Sequence, residues 1–529
     1  MMLQKKKLKN ANYTETWRQY EDGKDYKKHI GLYNTVNENE RFYRGDQWYG
    51  VNANGLSTPV FNVIKRIINH LINSVVSSEI TVVYSDENIP YITDDAEREE
   101  IRNTVRLLNQ WFMYRWEKCK MDTLLRKSLL DAAISGDGVF YSYWDMSVRT
   151  GQSYTGDLEI SLIDNVNLFA ADVNSTDIQS QEYIILAGRA NTESLRREAA
   201  QCGAADADVA DIQPDDTTDQ AGDLSAYENT DSAALKSTYL IKFYRDDNGY
   251  VVWEKSVSNT VICSVTTELR LYPVAYYNWE SVKNSCHGNA PVTGLIQNQK
   301  YINKAYAMAM KHMVDTAFSK IIYDKKLIPE WTNEVGQAIG VVSGGDVSNA
   351  VKVVGTGEMQ SEFLPLLENT LEQTKAMMGA TDAAIGEVIP NNTSAILALQ
   401  ETSSITLETI RKNLYQCIED IANIWIDMMC AYYHDNRQIC YRDENGTECA
   451  DRLNIAKLKD VLVRAYVNVE PAIKQSQVTL VDTLGKLLTD KHITFAQYLE
   501  RLPSGIIPDK QKLLEEINNK EKTENGQNQ

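Results

Sequence analysis

Phosphoryl transfer, hydrolysis and metal chemistry each need particular side chains at particular spacings, and this chain carries few of them. Glycine-rich stretches occur at Gly340-Val-Val-Ser-Gly344-Gly345 and at Gly355-Thr-Gly357. A phosphate loop places a lysine and a hydroxyl after its glycines, where they reach phosphate and Mg²⁺, and neither stretch has them. Both read as turns between short strands. No HExxH and no GxSxG is present, and the six histidines are dispersed. Cys430, His434, Cys440 and Cys449 form a cluster of metal-ligand types, but their spacing matches no common zinc pattern. Cys430 ends an apolar helix and Cys440 lies in a strand-like run, so these read as ordinary thiols. No catalytic residue, metal ligand or cofactor site is expected.

The elements that would position any site are better defined. One helix is expected around Trp17. The aromatic-basic run Arg41-Phe42-Tyr43-Arg44-Gly45-Asp46-Gln47-Trp48 ends a short helix. Ile64, Ile67, Ile68, Leu71, Ile72, Val75 and Val76 then follow the i, i+3, i+4, i+7 rhythm of an amphipathic helix. A longer helix is expected from Asp95 to Ser135, stopped by Gly136 at C′. Val139 to Trp144 reads as a strand. Its aromatics suit sheet packing better than base stacking, because no basic residues are interleaved. Short strands are expected over 157–190, 239–244, 250–253, 261–265 and 271–278.

Residues 203–235 hold eight aspartates, with no lysine or arginine before Lys236. This reads as an acidic, mobile surface excursion, with docking of a basic partner as the alternative. In the second half, Thr293–Ser319 reads as ~40 Å of helix at ~1.5 Å per residue. Leu295, Ile302, Ala305, Ala309, Met313 and Ala317 give it a small or apolar face, and Lys300, Lys304, Lys311 and His312 lie on others. Such a helix suits a place between neighbouring subunits. Short strands at 321–323 and 351–354 bracket the glycine-rich stretch. A helix at 361–380, a breaker-rich loop at 381–393 and a long helix from Ser394 to about Tyr433 follow. Strands at 438–449 and 461–469, then helices near 471–489, 494–501 and 508–518, close the chain.

Composition bounds the function. The chain has 529 residues, 43% of them hydrophobic, which is enough for a large core. Its formal net charge is −19. Tight duplex binding comes from neutralising phosphates, so an acidic chain is poorly suited to gripping DNA. Eight cysteines without framework spacing read as reduced thiols. No signal peptide is recognised after the basic start. No apolar run approaches the ~18 residues of a membrane span, so no membrane partner is expected.

The order of these elements, from "FYRGDQW" and "SGDGVFYSYWD" through a β-rich middle to helix, small strand-bearing lobe, helix, loop and long helix, resembles the portal proteins of tailed double-stranded DNA bacteriophages. These are the head-to-tail connectors at one capsid vertex. The resemblance covers roughly 40–470. It implies an α+β fold: a portal-type ring subunit with wing, stem helices, a small α/β clip and a short helical crown. Residues 1–39 would be an N-terminal arm, 40–292 the N-terminal part of the wing, 293–319 the first stem helix and 320–360 the clip. Residues 361–380 would be the second stem helix, 381–393 the tunnel loop, 394–470 the C-terminal part of the wing, and 471–529 crown and tail.

The resemblance further implies a homo-oligomer of twelve subunits, with double-stranded DNA passing non-specifically during packaging and ejection. Its partners would be the large terminase ATPase, the major capsid and scaffolding proteins and a head-completion or tail adaptor. The protein would be in the virion, and in the host cytoplasm during assembly. Carried over by position, Asp382, Glu387, Asn391 and Asn392 would face DNA in the tunnel loop. Lys300, Lys304 and Lys311 would lie along the stem and channel. Tyr323, Lys325, Lys326, Trp331 and Lys352 would meet the terminase or connector at the clip. A non-portal structural adaptor, or an intracellular enzyme with an unrecognised site within 239–280, are the alternative readings.

Overall fold

The computed structural model describes residues 13–53, 55–76, 80–85, 95–152, 154–215, 235–317, 320–328, 330, 342, 351–354, 363–380, 405, 407–433, 437–442, 448–452, 464–469, 484–490 and 492–502. The chain opens with three helices, α1 (Glu15–His29), α2 (Leu32–Arg44) and α3 (Val63–Val75). Thr14 caps α1 by accepting from Trp17 N, and Lys28 falls in its last turn. Cations there complement the carbonyl end of the helix dipole. Gly45, at φ 100°, ends α2. Asn62 caps α3, whose predicted stripe from Ile64 to Val75 is buried.

Strand β1 (Ile80–Ser85) precedes α4 (Asp95–Lys118) and α5 (Met121–Ser135). The single helix expected over Asp95–Ser135 is therefore two. Lys120 adopts φ 54° between them, and the amides of Cys119 and Lys120 close the turn on the carbonyls of Arg115 and Glu117. The break lets Trp111, Phe112 and Trp116 of α4 share one core with Met121, Leu125 and Leu129 of α5. Gly136 ends α5 at φ 97°, and a Cβ there would lie 2.4 Å from the Gly288 carbonyl oxygen.

The middle of the chain is two antiparallel sheets. β2 (Asp137–Arg149) is central between β3 (Thr155–Ile163) and β9 (Val274–Asn278). A five-stranded meander runs β4 (Leu168–Ala170), β5 (Tyr183–Asn191), β6 (Lys236–Arg245), β7 (Val251–Ser256) and β8 (Val261–Thr266). Helices α6 (Thr192–Gln201) and α7 (Asp206–Asp211) lie between β5 and β6.

Part of the acidic segment thus departs from the expected mobile excursion. Ile212 is fully buried with Leu195, Ala199, Val257 and Ile262. The Asp215 carboxylate accepts from Thr238 N at 3.0 Å. One large apolar residue and one well-placed carboxylate suffice to dock residues up to 215; the remainder, 216–234, lies outside the described residues.

After α8 (Pro291–Ala317) come the antiparallel strands β10 (Lys320–Tyr323) and β11 (Val351–Val354), then α9 (Phe363–Met377) and α10 (Glu408–Tyr432). The hairpin of β12 (Gln438–Arg442) and β13 (Glu448–Arg452), then β14 (Arg464–Val469) and α11 (Phe495–Arg501), follow. The expected start of the long helix near Ser394 and the helices over 471–483 and 508–518 lie outside the described residues.

Helix α10 is central to the core. Its Trp425 is 1% exposed and donates its indole N–H to Ser142 Oγ of β2 at 3.1 Å. Phe112 and Trp111 pack against the same indole. β14 pairs with β1 across most of the chain's length, and Tyr84 of β1 donates to the Ala422 carbonyl of α10.

Candidate channel and subunit-contact helices

Helix α8 is 27 residues long, ~40 Å at ~1.5 Å per residue. Its first half is anchored by a buried amide relay. Gln299 Oε1 accepts from Val63 N and Ile64 N at 3.0 and 3.3 Å, satisfying free amides at the start of α3. Gln299 Nε2 donates to Phe61 O at 2.7 Å and to Asn303 Oδ1 at 2.9 Å. Asn303 Nδ2 in turn donates to Gln47 Oε1 at 2.6 Å, and Gln47 Nε2 to Phe42 O at 2.9 Å. The aromatic-basic run at 41–48 is therefore a docking element for α8. Sequence reasoning missed Gln299 and Asn303; their one signal was an amide pair at i, i+4.

Helix α9 lies antiparallel to α8. Gly294 faces Met378, and Asn298 Nδ2 donates to Thr374 Oγ1 at 3.2 Å. Further along, Ile302 and Ala305 bury Leu367, with Tyr306, Phe363 and Leu371 packed around them. The pair's shared core is small. Outside it, Met313 and Val314 on α8 are 59% and 69% exposed, and Leu366 and Met377 on α9 are 53% and 71% exposed. Leu295, Ile302, Ala305 and Ala309 are buried as the periodicity predicts, but Met313 is not. Single exposed apolar side chains are ordinary; here several lie along two paired helices.

Lys300, Lys304 and Lys311 share one open stripe of α8, with Gln297, Tyr301 and Met308. Lys300 Nζ bonds Glu38 Oε1 of α2 at 2.7 Å and lies over the Phe42 ring. Lys304 and Lys311 are exposed. At the far end of α8, Tyr323 is half-buried on β10, Lys325 and Lys326 are exposed in the following turn, and Lys352 is exposed on β11. Trp331 and all four expected tunnel-loop residues, Asp382, Glu387, Asn391 and Asn392, lie outside the described residues.

A second polar centre, missed in the sequence, lies where β2, β9 and the loop before α8 meet. Asp137 is buried and accepts four hydrogen bonds. Asn278 Nδ2 and Gly288 N reach its Oδ1 at 2.8 and 2.7 Å, and Asn165 Nδ2 and His287 Nδ1 its Oδ2 at 3.0 and 2.8 Å. Cys286 beside it invites a nucleophilic reading. Burial, with the Asp137 charge adding to it, pushes this thiol up to about 11. A cysteine that attacks an incoming substrate needs a lowered pKa and access from solvent, and Cys286 is buried. The adjoining cavity, about 20 Å³, holds about one water and no substrate. The centre is therefore structural.

Among the described residues no group of three or more His, Cys, Asp or Glu side chains is placed to hold a metal ion. No helix among them is long and apolar enough to cross a membrane.

A family model described as "Phage P22-like portal protein" matches residues 265–488, less than half of the chain. The matched span runs from the end of β8 through the α8–α9 pair, β10–β11 and α10 to β14. No curated protein matches the chain. The match points to portal-family character in that region. The mixed α/β architecture, helices with small antiparallel sheets, is consistent with it.

Proposed function

We propose that this chain is the repeating subunit of a portal ring, the conduit through which double-stranded DNA enters and leaves a phage capsid. The observation that carries the reading is the coincidence of the family match with the antiparallel α8–α9 pair, both helices of which expose apolar side chains. Head-to-tail contacts of one patch with a different patch on the next copy close into rings, and such helices offer that surface. In this reading α8 and α9 are the stem, 320–360 the clip facing the terminase ATPase, 381–393 the tunnel loop, 40–292 with 394–470 the wing, and 471–529 the crown. Major capsid, scaffolding and tail-adaptor proteins would be the other partners, at the portal vertex of the virion.

The physics of a conduit fits the composition. What passes must not be held, and a chain of net charge −19 releases few counterions from DNA. The open stripe of α8 offers Lys304 and Lys311 as a weak basic ring, while Lys300 is partly neutralised by Glu38. Light scattering and negative-stain microscopy of the purified protein test the proposal. A hollow particle near about 700 kDa is expected for twelve copies of a 59.9 kDa chain. A compact dimer without a hole would overturn it. Deletion of Asp382–Asn392 should abolish packaging and leave the ring intact; packaging that survives would refute the tunnel-loop assignment.

A further inference from the structure

We propose that Cys202 and Cys263 form a thiol pair that closes to a disulfide in an oxidising medium, stapling α6 to the edge of the five-stranded sheet at the base of the acidic segment. This does not depend on the portal reading.

Three contacts bring the sulfurs together. Leu195 and Ala199 of α6 pack into one core with Val257 and Ile262, and Cys263 of β8 packs against that core. Lys255 is the cross-strand partner of Cys263, and its Nζ grips the Glu198 carboxylate at 2.7 and 2.8 Å. Glu198 lies one helical turn before Cys202, whose amide bonds the Glu198 carbonyl at 2.9 Å. Side chains at i and i+4 share a helix face, so the clamp that holds Glu198 to the sheet also aims Cys202 at it. There the Cys202 thiol lies beside Cys263.

The two sulfurs differ in access. Cys202 is exposed and Cys263 is half-buried. Burial, and then the neighbouring Cys202, push the Cys263 thiol up to about 11. Cys202 is therefore the entry point and Cys263 the resolving thiol. The Cys202 thiolate attacks one sulfur of a low-molecular-weight disulfide such as oxidised glutathione. That S–S bond breaks, one glutathione thiolate leaves, and a mixed disulfide forms. Cys263 then loses its proton to solvent and attacks the Cys202 sulfur, expelling the second glutathione thiolate. Two protein thiols lose two electrons, and one glutathione disulfide becomes two thiols.

Neighbouring cysteines do not make a pair by proximity alone. Cys440 and Cys449 sit on the β12–β13 hairpin, but Cys440 pairs with Ala450 and Cys449 with Tyr441. Adjacent register positions point to opposite faces, so that hairpin does not bring its two sulfurs together.

The test uses the folded, full-length chain. It is incubated with oxidised glutathione, acid-quenched, alkylated, and analysed by intact mass and peptide mapping. Expected is a loss of about 2 Da, a linked Cys202–Cys263 peptide, and full reversal by dithiothreitol. Cys263→Ser should trap one glutathione on residue 202. Cys202→Ser should leave Cys263 unmodified over the same interval. A persistent glutathione adduct on wild-type Cys202, or closure seen only after denaturation, would overturn the proposal.

Discussion

His287 Nδ1 lies 2.8 Å from Asp137 Oδ2, with the histidine side chain 8% exposed and the aspartate 0%. The two residues are 150 positions apart. Their contact ties the start of β2 to the loop that launches α8. A buried carboxylate is tolerated because its oxygens are satisfied, here by four donors. Asp137→Ala would take the acceptor from the Gly288 amide and from His287, and one acceptor each from Asn165 and Asn278, which keep the Ser135 and Cys286 carbonyls. A loss of roughly 3–5 kcal/mol is expected from removing one partner of such a buried network. Urea denaturation of wild type and variant measures it; a loss below about 1 kcal/mol would show that the centre relaxes freely.

Lys27 is the counterpart on α1. Its Nζ donates to the carbonyls of Asn165, Val166 and Leu168, the first two at 2.7 and 2.9 Å, the third at 2.5 Å. Burial pushes its ammonium down to about 7 from 10.5. The unfolded chain therefore binds one more proton than the folded chain between about pH 7 and 10.5. Stability from this group then rises with pH across that window, by at most about 1.4 kcal/mol per unit. Lys27→Met should be less stable toward pH 9, because three buried carbonyls lose their donor, and the deficit should narrow toward pH 7. It should also lose the upward slope. Thermal melts at pH 7, 8 and 9 read both effects, and parallel pH profiles for wild type and variant would refute the linkage.

How much of this was legible beforehand varied with range. The α3 stripe and the Gly136 stop were readable because helix period and a left-handed cap are local properties. β1 was missed because its six residues pair with β14, nearly four hundred positions later. The break at Lys120 followed no glycine or proline; it is imposed by a core that both helices share. The open lysine stripe of α8 could be read from spacing. The relay from Gln47 through Asn303 to Gln299 could not, since an amide's partner is set by tertiary packing. The Cys202–Cys263 pair was hidden for the same reason, 61 positions apart in a chain whose cysteines show no framework spacing.

Gly138 tests the packing between β2 and α5. A Cβ at this position would lie 2.3 Å from Tyr277 Cε1 and 2.6 Å from Ser128 Oγ. Those two side chains are themselves hydrogen-bonded at 3.0 Å and buried. Neither can yield without breaking that bond. Gly138→Ala is expected to cost about 1–3 kcal/mol, the usual range for overpacking a filled core. Gly151→Ala, on an open turn with nothing within 4 Å, isolates the purely conformational cost of a glycine at φ 75°. Comparable melting points for the two variants would mean that the Tyr277 ring moves aside.

The exposed apolar side chains of α8 and α9 separate fold from assembly. Met313 is 59% exposed and Leu366 53%, and neither belongs to the small core between the helices. Charging them should leave the isolated subunit within about 0.5 kcal/mol of wild type, as for surface substitutions in general. In a closed ring the same carboxylates would be taken out of water against a neighbouring copy, at several kcal/mol each unless paired. Met313→Glu, on the side of α8 away from the lysine stripe, and Leu366→Glu are therefore expected to abolish the large particle in light scattering while preserving the circular dichroism melt of the subunit. Met146→Glu, on a β2 residue 77% exposed, is the control and should assemble normally. Full-size rings from both helix variants would place the subunit contacts elsewhere on the molecule.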